Sequence, residues 1–121
     1  MAFKEELQTL KDYLDSGIDI AINDKYFSIL KTSYDNVYIY VKTTLSFLLS
    51  GQMKYLKDDT ALLFWSFINI YMKCILLNNY LYEYDPRLLL DIETIFREQE
   101  YFFFSDNIRD FRKNILLDPR P

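Results

Sequence analysis

A chain of 121 residues has room for one hydrophobic core, so we expect a single domain over residues 1–121. Half of the residues are hydrophobic, which excludes a disordered chain, and the two glycines and three prolines are too few for a turn-rich sandwich or barrel. The net charge of −4 disfavours binding to nucleic acids and anionic membranes, whose surfaces repel an acidic protein. An all-α fold with long helices and short connections fits this composition.

The composition also excludes several kinds of chemistry. There is no histidine, which excludes an imidazole base, Ser/His/Asp and Cys/His arrangements, and the usual zinc sites. Cys74 is the single cysteine and lies in the most apolar segment, which indicates packing rather than nucleophilic chemistry. Glu93, Glu98 and Glu100 do not share the helical spacing that a metal ion needs. We therefore expect a protein that is not an enzyme and that has no cofactor or metal.

Two helices are predicted in the first fifty residues. The first is amphipathic and is ended by Gly17; its apolar positions recur every three or four residues, at Phe3, Leu7, Leu10 and Leu14. Residues 18–23 alternate with a period of two but have no second strand to pair with, so they are predicted as a helical turn or an extended connector. The second helix is predicted to start after a cap at Asn23 or Asp24 and to reach Ser50.

The third helix is predicted at about 60–82, after a connector at 52–59 and a cap at Asp58 or Asp59. Its apolar run of 17 residues is shorter than the ~20 that a membrane span requires. The run is interrupted by a narrow polar stripe at Ser66, Asn69 and Lys73. This pattern favours a central core helix whose polar stripe is exposed to solvent, and no membrane insertion is expected.

Two further helices complete the predicted fold. Asp85 and Pro86 give an N-cap followed by a proline at the first helical position. The fourth helix is predicted to bury Leu88, Leu89, Ile92, Ile95, Phe96, Gln99 and Phe102 or Phe103. Its water-facing residues are predicted to be Arg87, Asp91, Glu93, Arg97, Glu98 and Glu100, with Glu93 paired to Arg97. A cap at Ser105 or Asp106 starts the last short helix, and 117–121 is predicted as a frayed tail. The chain is thus predicted to be a four- to five-helix bundle around 60–82.

Four consecutive aromatics, Tyr101 to Phe104, are a first candidate binding site. Each helical residue advances about 100°, so the four rings cannot all face one core. Phe102 and Phe103 continue the apolar stripe of the fourth helix and are predicted to be core. Tyr101 and Phe104 lie off that stripe. Either the last helix covers Phe104, or an apolar patch there binds a partner within a rim formed by Glu98, Glu100 and Asp106.

Two other groups are candidates for partner contacts. Tyr82 and Tyr84 belong to a tyrosine-rich stretch, and tyrosine is favoured at protein interfaces. A small basic face is predicted on the last helix from the spacing of Arg109, Arg112 and Lys113. These cations either complement the end of the helix or form a protein-docking site. Three charges are too few for nucleic acid, so no direct nucleic-acid binding is expected.

The frequent Phe, Tyr, Ile, Asn and Lys have AT-rich codons, which indicates an AT-rich genome such as that of a mobile genetic element. The first hypothesis is a small acidic binding protein, a phage-, virus- or plasmid-encoded inhibitor or immunity protein that acts through protein–protein contact. One alternative is a homo-oligomeric structural or regulatory helical domain, a homodimer with residues 101–104 as its seam. A second alternative is a viral apoptosis-regulator-like bundle. The acidic, amphipathic N-terminus differs from a signal peptide, so a cytoplasmic location is expected, in the source cell or an infected host.

Overall fold

The computed structural model describes residues 2–116 and has the predicted all-α architecture. Five α-helices follow one another as α1 (Lys4–Ser16), α2 (Lys25–Leu49), α3 (Asp58–Leu77), α4 (Leu88–Glu98) and α5 (Phe102–Phe111). A π-helical turn, Arg112–Leu116, continues α5. Residues 2–116 form no strand. The tail predicted at 117–121 lies outside the described residues.

The central helix is α3, as predicted. It packs against α1, α2 and α4 and buries nine side chains, Ala61, Leu63, Phe64, Phe67, Ile68, Ile70, Tyr71, Met72 and Cys74. By length and composition alone this helix could also cross a membrane, since its mean hydropathy reaches 1.6. In the bundle 44% of its apolar window is buried against neighbouring helices, whereas Leu62, Leu76 and Leu77 are exposed.

Local signals locate the ends of α1 and α2 correctly. Gly17 follows α1 with a φ of 70°, and Gly51 follows α2 with a φ of 81°, a region that glycine enters at little cost. Asp24 caps α2, because its Oδ1 accepts a hydrogen bond from the Tyr26 N–H at 2.7 Å. Between these helices, residues 18–23 form a connector with a turn near its end.

Both ends of α3 differ from the prediction. The helix starts at Asp58 rather than Thr60, so Asp58 and Asp59 lie in its first turn, where their charges complement the helix dipole. It ends at Leu77 rather than Tyr82. Asn78 adopts a left-handed φ of 51°, and the N–H groups of Asn78 and Asn79 donate to carbonyls of the last turn. The chain after Leu77 is therefore a connector and not more helix.

The break between α4 and α5 occurs earlier than predicted, before Phe102 rather than at Ser105 or Asp106. Helix α4 ends at Glu98, and Glu100 has a left-handed φ of 67°. The Tyr101 N–H donates to the Phe96 carbonyl at 2.7 Å, and the Glu100 N–H donates to the Arg97 carbonyl at 3.1 Å. The Tyr101 and Phe96 rings lie 5.9 Å apart. This is a Schellman motif, completed by the apolar contact that often accompanies it.

This break overturns the prediction that Phe102 and Phe103 are core residues. Both rings are exposed, by 54% and 71%. Helix α5 starts at Phe102, whereas its cap was predicted at Ser105 or Asp106. Because a new helix starts here, its faces are not in register with those of α4, and the apolar stripe of α4 does not continue into it. Tyr101 and Phe104, which lay off that stripe, are the half-buried rings of the run.

The replacement Glu100→Gly is expected to stabilise the fold by about 0.5–1 kcal/mol. A residue with a side chain is strained at a positive φ, and glycine relieves this strain despite its larger entropy in the unfolded chain. The matched control is Glu98→Gly, which removes the same charge from the last helical residue and should destabilise by up to about 1 kcal/mol. Urea unfolding measures both values. If the Glu100→Gly protein is no more stable than the wild type, the backbone at Glu100 is not strained.

Candidate functional site

An exposed aromatic surface lies where α5 begins, beside the first half of α3. It consists of Leu62, Trp65, Phe102 and Phe103. Leu62 is 51% exposed, and Trp65 is half-buried three positions further along the same face of α3. The Trp65 and Phe103 rings meet edge to face at 6.1 Å. Apolar side chains from two elements distant in sequence thus meet at this surface.

Phe104 and Tyr101, two of the predicted contact residues, lie next to the aromatic surface and support it. The Phe104 ring stacks on Trp65 at 4.5 Å and meets Phe96 edge to face at 5.1 Å. It also stacks on Tyr101 at 5.8 Å, and the Tyr101 hydroxyl donates a hydrogen bond to Asp58, which raises the pKa of Tyr101. Trp65 of α3 is therefore the side chain that covers Phe104. These contacts hold the start of α5 against α3.

Exposed carboxylates occur near the aromatic surface in sequence, on α3, α4 and α5 and in the turn before α5, and we call them the acidic rim. It consists of five exposed carboxylates, at Asp58, Asp59, Glu98, Glu100 and Asp106. Asp58 and Asp59 come from the start of α3. Glu98 ends α4, Glu100 lies in the turn after it, and Asp106 lies in the second turn of α5. They outnumber the cations that are near them in sequence, which are Lys57, Arg97 and Arg109. Glu98, Glu100 and Asp106, which were predicted to be a rim, are exposed, and so are Phe102 and Phe103.

The predicted basic face is not formed as one patch. The Nε and Nη2 atoms of Arg112 both lie 2.6 Å from Oε1 of Glu93, while Arg109 pairs with Asp106 at 3.4 Å. Lys113 is exposed. Arg112 turns inward because Glu93, predicted to face water, is only 4% exposed and needs a counter-charge. The predicted pair between Glu93 and Arg97 is present at 3.2 Å.

Tyr82 and Tyr84 lie away from the aromatic surface, on the connector after α3. Tyr82 is half-buried and packs edge to face against Tyr71 at 5.6 Å, and Tyr84 is 59% exposed. Tyr71 is a fully buried residue of α3, whereas Leu62 and Trp65 belong to its outer face. The structure therefore does not bring these two tyrosines together with the aromatic run.

A groove between α1 and α3 was missed by the sequence-based predictions. It has a volume of about 520 Å³ and is lined by Lys4, Leu7, Gln8, Lys11, Leu14, Asp15, Ser66, Asn69, Ile70 and Lys73. The polar stripe of α3 is the signal in the sequence that points to it, although the stripe alone predicts only a solvent-exposed edge of the helix. Asp15 bridges the two helices, at 2.7 Å from Lys11 and 2.6 Å from Lys73. These two hydrogen-bonded ammonium groups lower the pKa of Asp15 to about 2.

Neither the buried thiol nor the described acidic residues form a reactive or metal-binding site. Burial raises the pKa of Cys74 to about 12, so the group is a neutral thiol near pH 7 and not a thiolate nucleophile. Within the part of the chain that the structure describes, no three His, Cys, Asp or Glu side chains come together in a way that could hold a metal ion.

Comparisons with protein-family models, with curated proteins and with solved structures found no match for this chain. Its function is therefore inferred from its own surface.

Proposed function

We propose that the chain is a non-enzymatic binding protein whose aromatic surface docks on a partner protein. The observation that carries the proposal is the exposure of two adjacent phenylalanines, Phe102 and Phe103, at 54% and 71%. Large rings left in water at one place are typical of interaction sites, and aromatic anchors often dominate the binding energy. The stack of Phe104 on Trp65 holds the start of α5 in place, so little conformational freedom is lost on binding.

The acidic rim defines the chemistry of the partner. A surface that complements it has an apolar patch bordered by lysines and arginines, and such opposite charges accelerate the encounter of two proteins. Basic surfaces of this kind are common on enzymes that bind nucleic acids. An inhibitor or immunity protein that covers such a surface, in the cytoplasm of the source cell or of an infected host, is the role that we propose.

A homodimer is the alternative, and the acidic rim argues against it. In a two-fold symmetric dimer the same surface patch of both copies meets. Two copies of the rim would then face each other, and like charges at an interface cost binding energy. A basic partner avoids this repulsion, so we favour a different protein over a second copy.

The double replacement Phe102→Ser with Phe103→Ser is expected to weaken partner binding about a hundredfold, as loss of two anchoring rings implies. The experiment is affinity capture from the source cell or host, followed by measurement of the dissociation constant for the captured protein. The matched control replaces two other exposed apolar residues, Ile39 and Leu76, each 60% exposed, by serine and should retain binding. Raised salt should slow the association of the wild type.

Circular dichroism shows whether both double variants are folded. Sedimentation equilibrium at high protein concentration should find a wild-type monomer. If the wild type is a dimer and the Phe102→Ser, Phe103→Ser protein is a monomer, the aromatic surface is a homodimer interface and our proposal is wrong. Equal capture of the partner by this variant and by the wild type would exclude the aromatic surface as the docking site.

A further inference from the structure

We infer that the groove between α1 and α3 binds a small amphipathic anion, with the anionic head on the lysines and an apolar body on the floor of the groove. The site is independent of the proposed docking function, since none of the four residues of the aromatic surface lines it. It also differs in charge from the protein as a whole. Both helices contribute cations to it.

The charge of the groove is positive on a chain whose net charge is negative. Three lysines and one carboxylate line it, Lys4, Lys11, Lys73 and Asp15, which gives a local charge of 3 − 1 = +2 on a protein of net charge −4. Asp15 engages one oxygen with Lys11 and the other with Lys73. An ammonium group has three donors, so two donors of each lysine are left for a second anion.

The floor of the groove is apolar. Leu7, Leu14 and Ile70 are each 4% exposed and line it between the polar side chains. A volume of about 520 Å³ lies in the range of about 300–1,000 Å³ that is typical of sites for small organic molecules. An inorganic anion would occupy only a small part of this space. The ligand therefore needs a hydrocarbon portion as well as a charged head.

The polar stripe of α3 lies along this groove. Ser66 and Asn69 interrupt the apolar run of α3 at positions where aliphatic side chains would pack directly on α1. The Asn69 amide donates to the Trp65 carbonyl at 2.7 Å, and the Gln8 amide donates to Asp12 at 2.8 Å. The side-chain oxygens of both amides remain acceptors for polar atoms of a ligand.

Titration with sodium octanoate, followed by two-dimensional NMR of the amide groups, tests the inference. We expect saturable shifts at residues of α1 and α3 that line the groove. Two probes separate the parts of the ligand: octylammonium has the same chain with the opposite charge, and acetate has the same head without the chain. Each should bind at least about tenfold more weakly than octanoate. Absence of saturable octanoate binding, or equal binding of octanoate and octylammonium, would overturn the inference.

Charge variants locate the head group. Lys11→Met with Lys73→Met should weaken octanoate binding about tenfold, whereas Lys54→Met, in the exposed connector before α3, should leave it unchanged. Asp15→Asn should strengthen binding a few-fold, because it removes the carboxylate that competes for the same two ammonium groups. Weaker binding by Asp15→Asn, or an equal loss in Lys54→Met, would contradict this placement. The Phe102→Ser, Phe103→Ser protein should bind octanoate normally.

Discussion

Arg112→Ala is expected to lower the free energy of unfolding by about 3 kcal/mol, as loss of one partner of a buried ion pair does. The Glu93 carboxylate is buried, and two nitrogens of the Arg112 guanidinium lie 2.6 Å from its Oε1. The remaining partner, Arg97, is 47% exposed and contacts the other oxygen at 3.2 Å. Without Arg112, most of the cost of removing this carboxylate from water is no longer offset. The variant also releases the link between the end of α5 and the middle of α4.

Urea unfolding measures this loss, and Arg109→Ala is the matched control. Arg109 is 39% exposed, and among the described residues it pairs with two exposed carboxylates, Asp106 at 3.4 Å and Asp110 at 3.7 Å. Its removal should cost less than about 0.5 kcal/mol. The double variant Glu93→Leu, Arg112→Leu should recover much of the lost stability, because no buried charge then lacks a partner. Equal losses in Arg112→Ala and Arg109→Ala would show that Glu93 is solvated rather than buried.

Asp85→Ala is expected to lower the free energy of unfolding by about 2–3 kcal/mol at pH 7, since it removes three hydrogen bonds, one of them from a charged group. Asp85 Oδ2 accepts hydrogen bonds from the Tyr38 hydroxyl and from Lys42 Nζ, both at 2.8 Å. Its Oδ1 accepts from the Arg87 N–H at 3.1 Å, which is the cap predicted from the Asp-Pro pair, although the regular helix starts at Leu88. The carboxylate thus joins α2 to the start of α4.

This contribution of Asp85 depends on pH. Burial raises the pKa of Asp85, but the hydrogen bonds from Lys42, Tyr38 and the Arg87 N–H outweigh burial, and the pKa lies below its ordinary value of 3.8. A carboxyl group with a lower pKa in the folded state stabilises the fold above its unfolded pKa, and this stabilisation is lost as pH falls through the folded pKa. The difference in stability between wild type and Asp85→Ala should therefore shrink below about pH 4.

Unfolding at pH 7 and pH 3 tests this dependence, with Asp35→Ala as the control. Asp35 is 46% exposed and pairs with Lys31 of the same helix at 2.8 Å, so its loss should cost less than about 0.5 kcal/mol. A difference between wild type and Asp85→Ala that is as large at pH 3 as at pH 7 would contradict the ionic role of Asp85 and leave only packing to explain it.

The sequence by itself determined the helical class, the central position of α3 and those helix ends that have a local signal. These helix ends are set by hydrogen bonds and backbone angles within a few residues, as at Asp24, Gly17 and Gly51. Their positions can therefore be predicted from residues that are close in sequence. The left-handed turn at Glu100 has no such signal, because glutamate enters that region only where surrounding contacts offset the strain. Here the packing of Tyr101 on Phe96 accompanies the turn.

The sequence also showed the aromatic run and its carboxylates, but only the tertiary structure decided which rings are exposed. The turn at Glu100 resets the helical phase, and Trp65, 39 positions before Phe104, then covers that ring and leaves Phe102 and Phe103 in water. The same holds for the groove, whose lysines come from two helices, and for Arg112, which reaches a carboxylate 19 positions away. Spacing along a helix predicts which residues share a face; what covers that face depends on distant segments that the fold brings together.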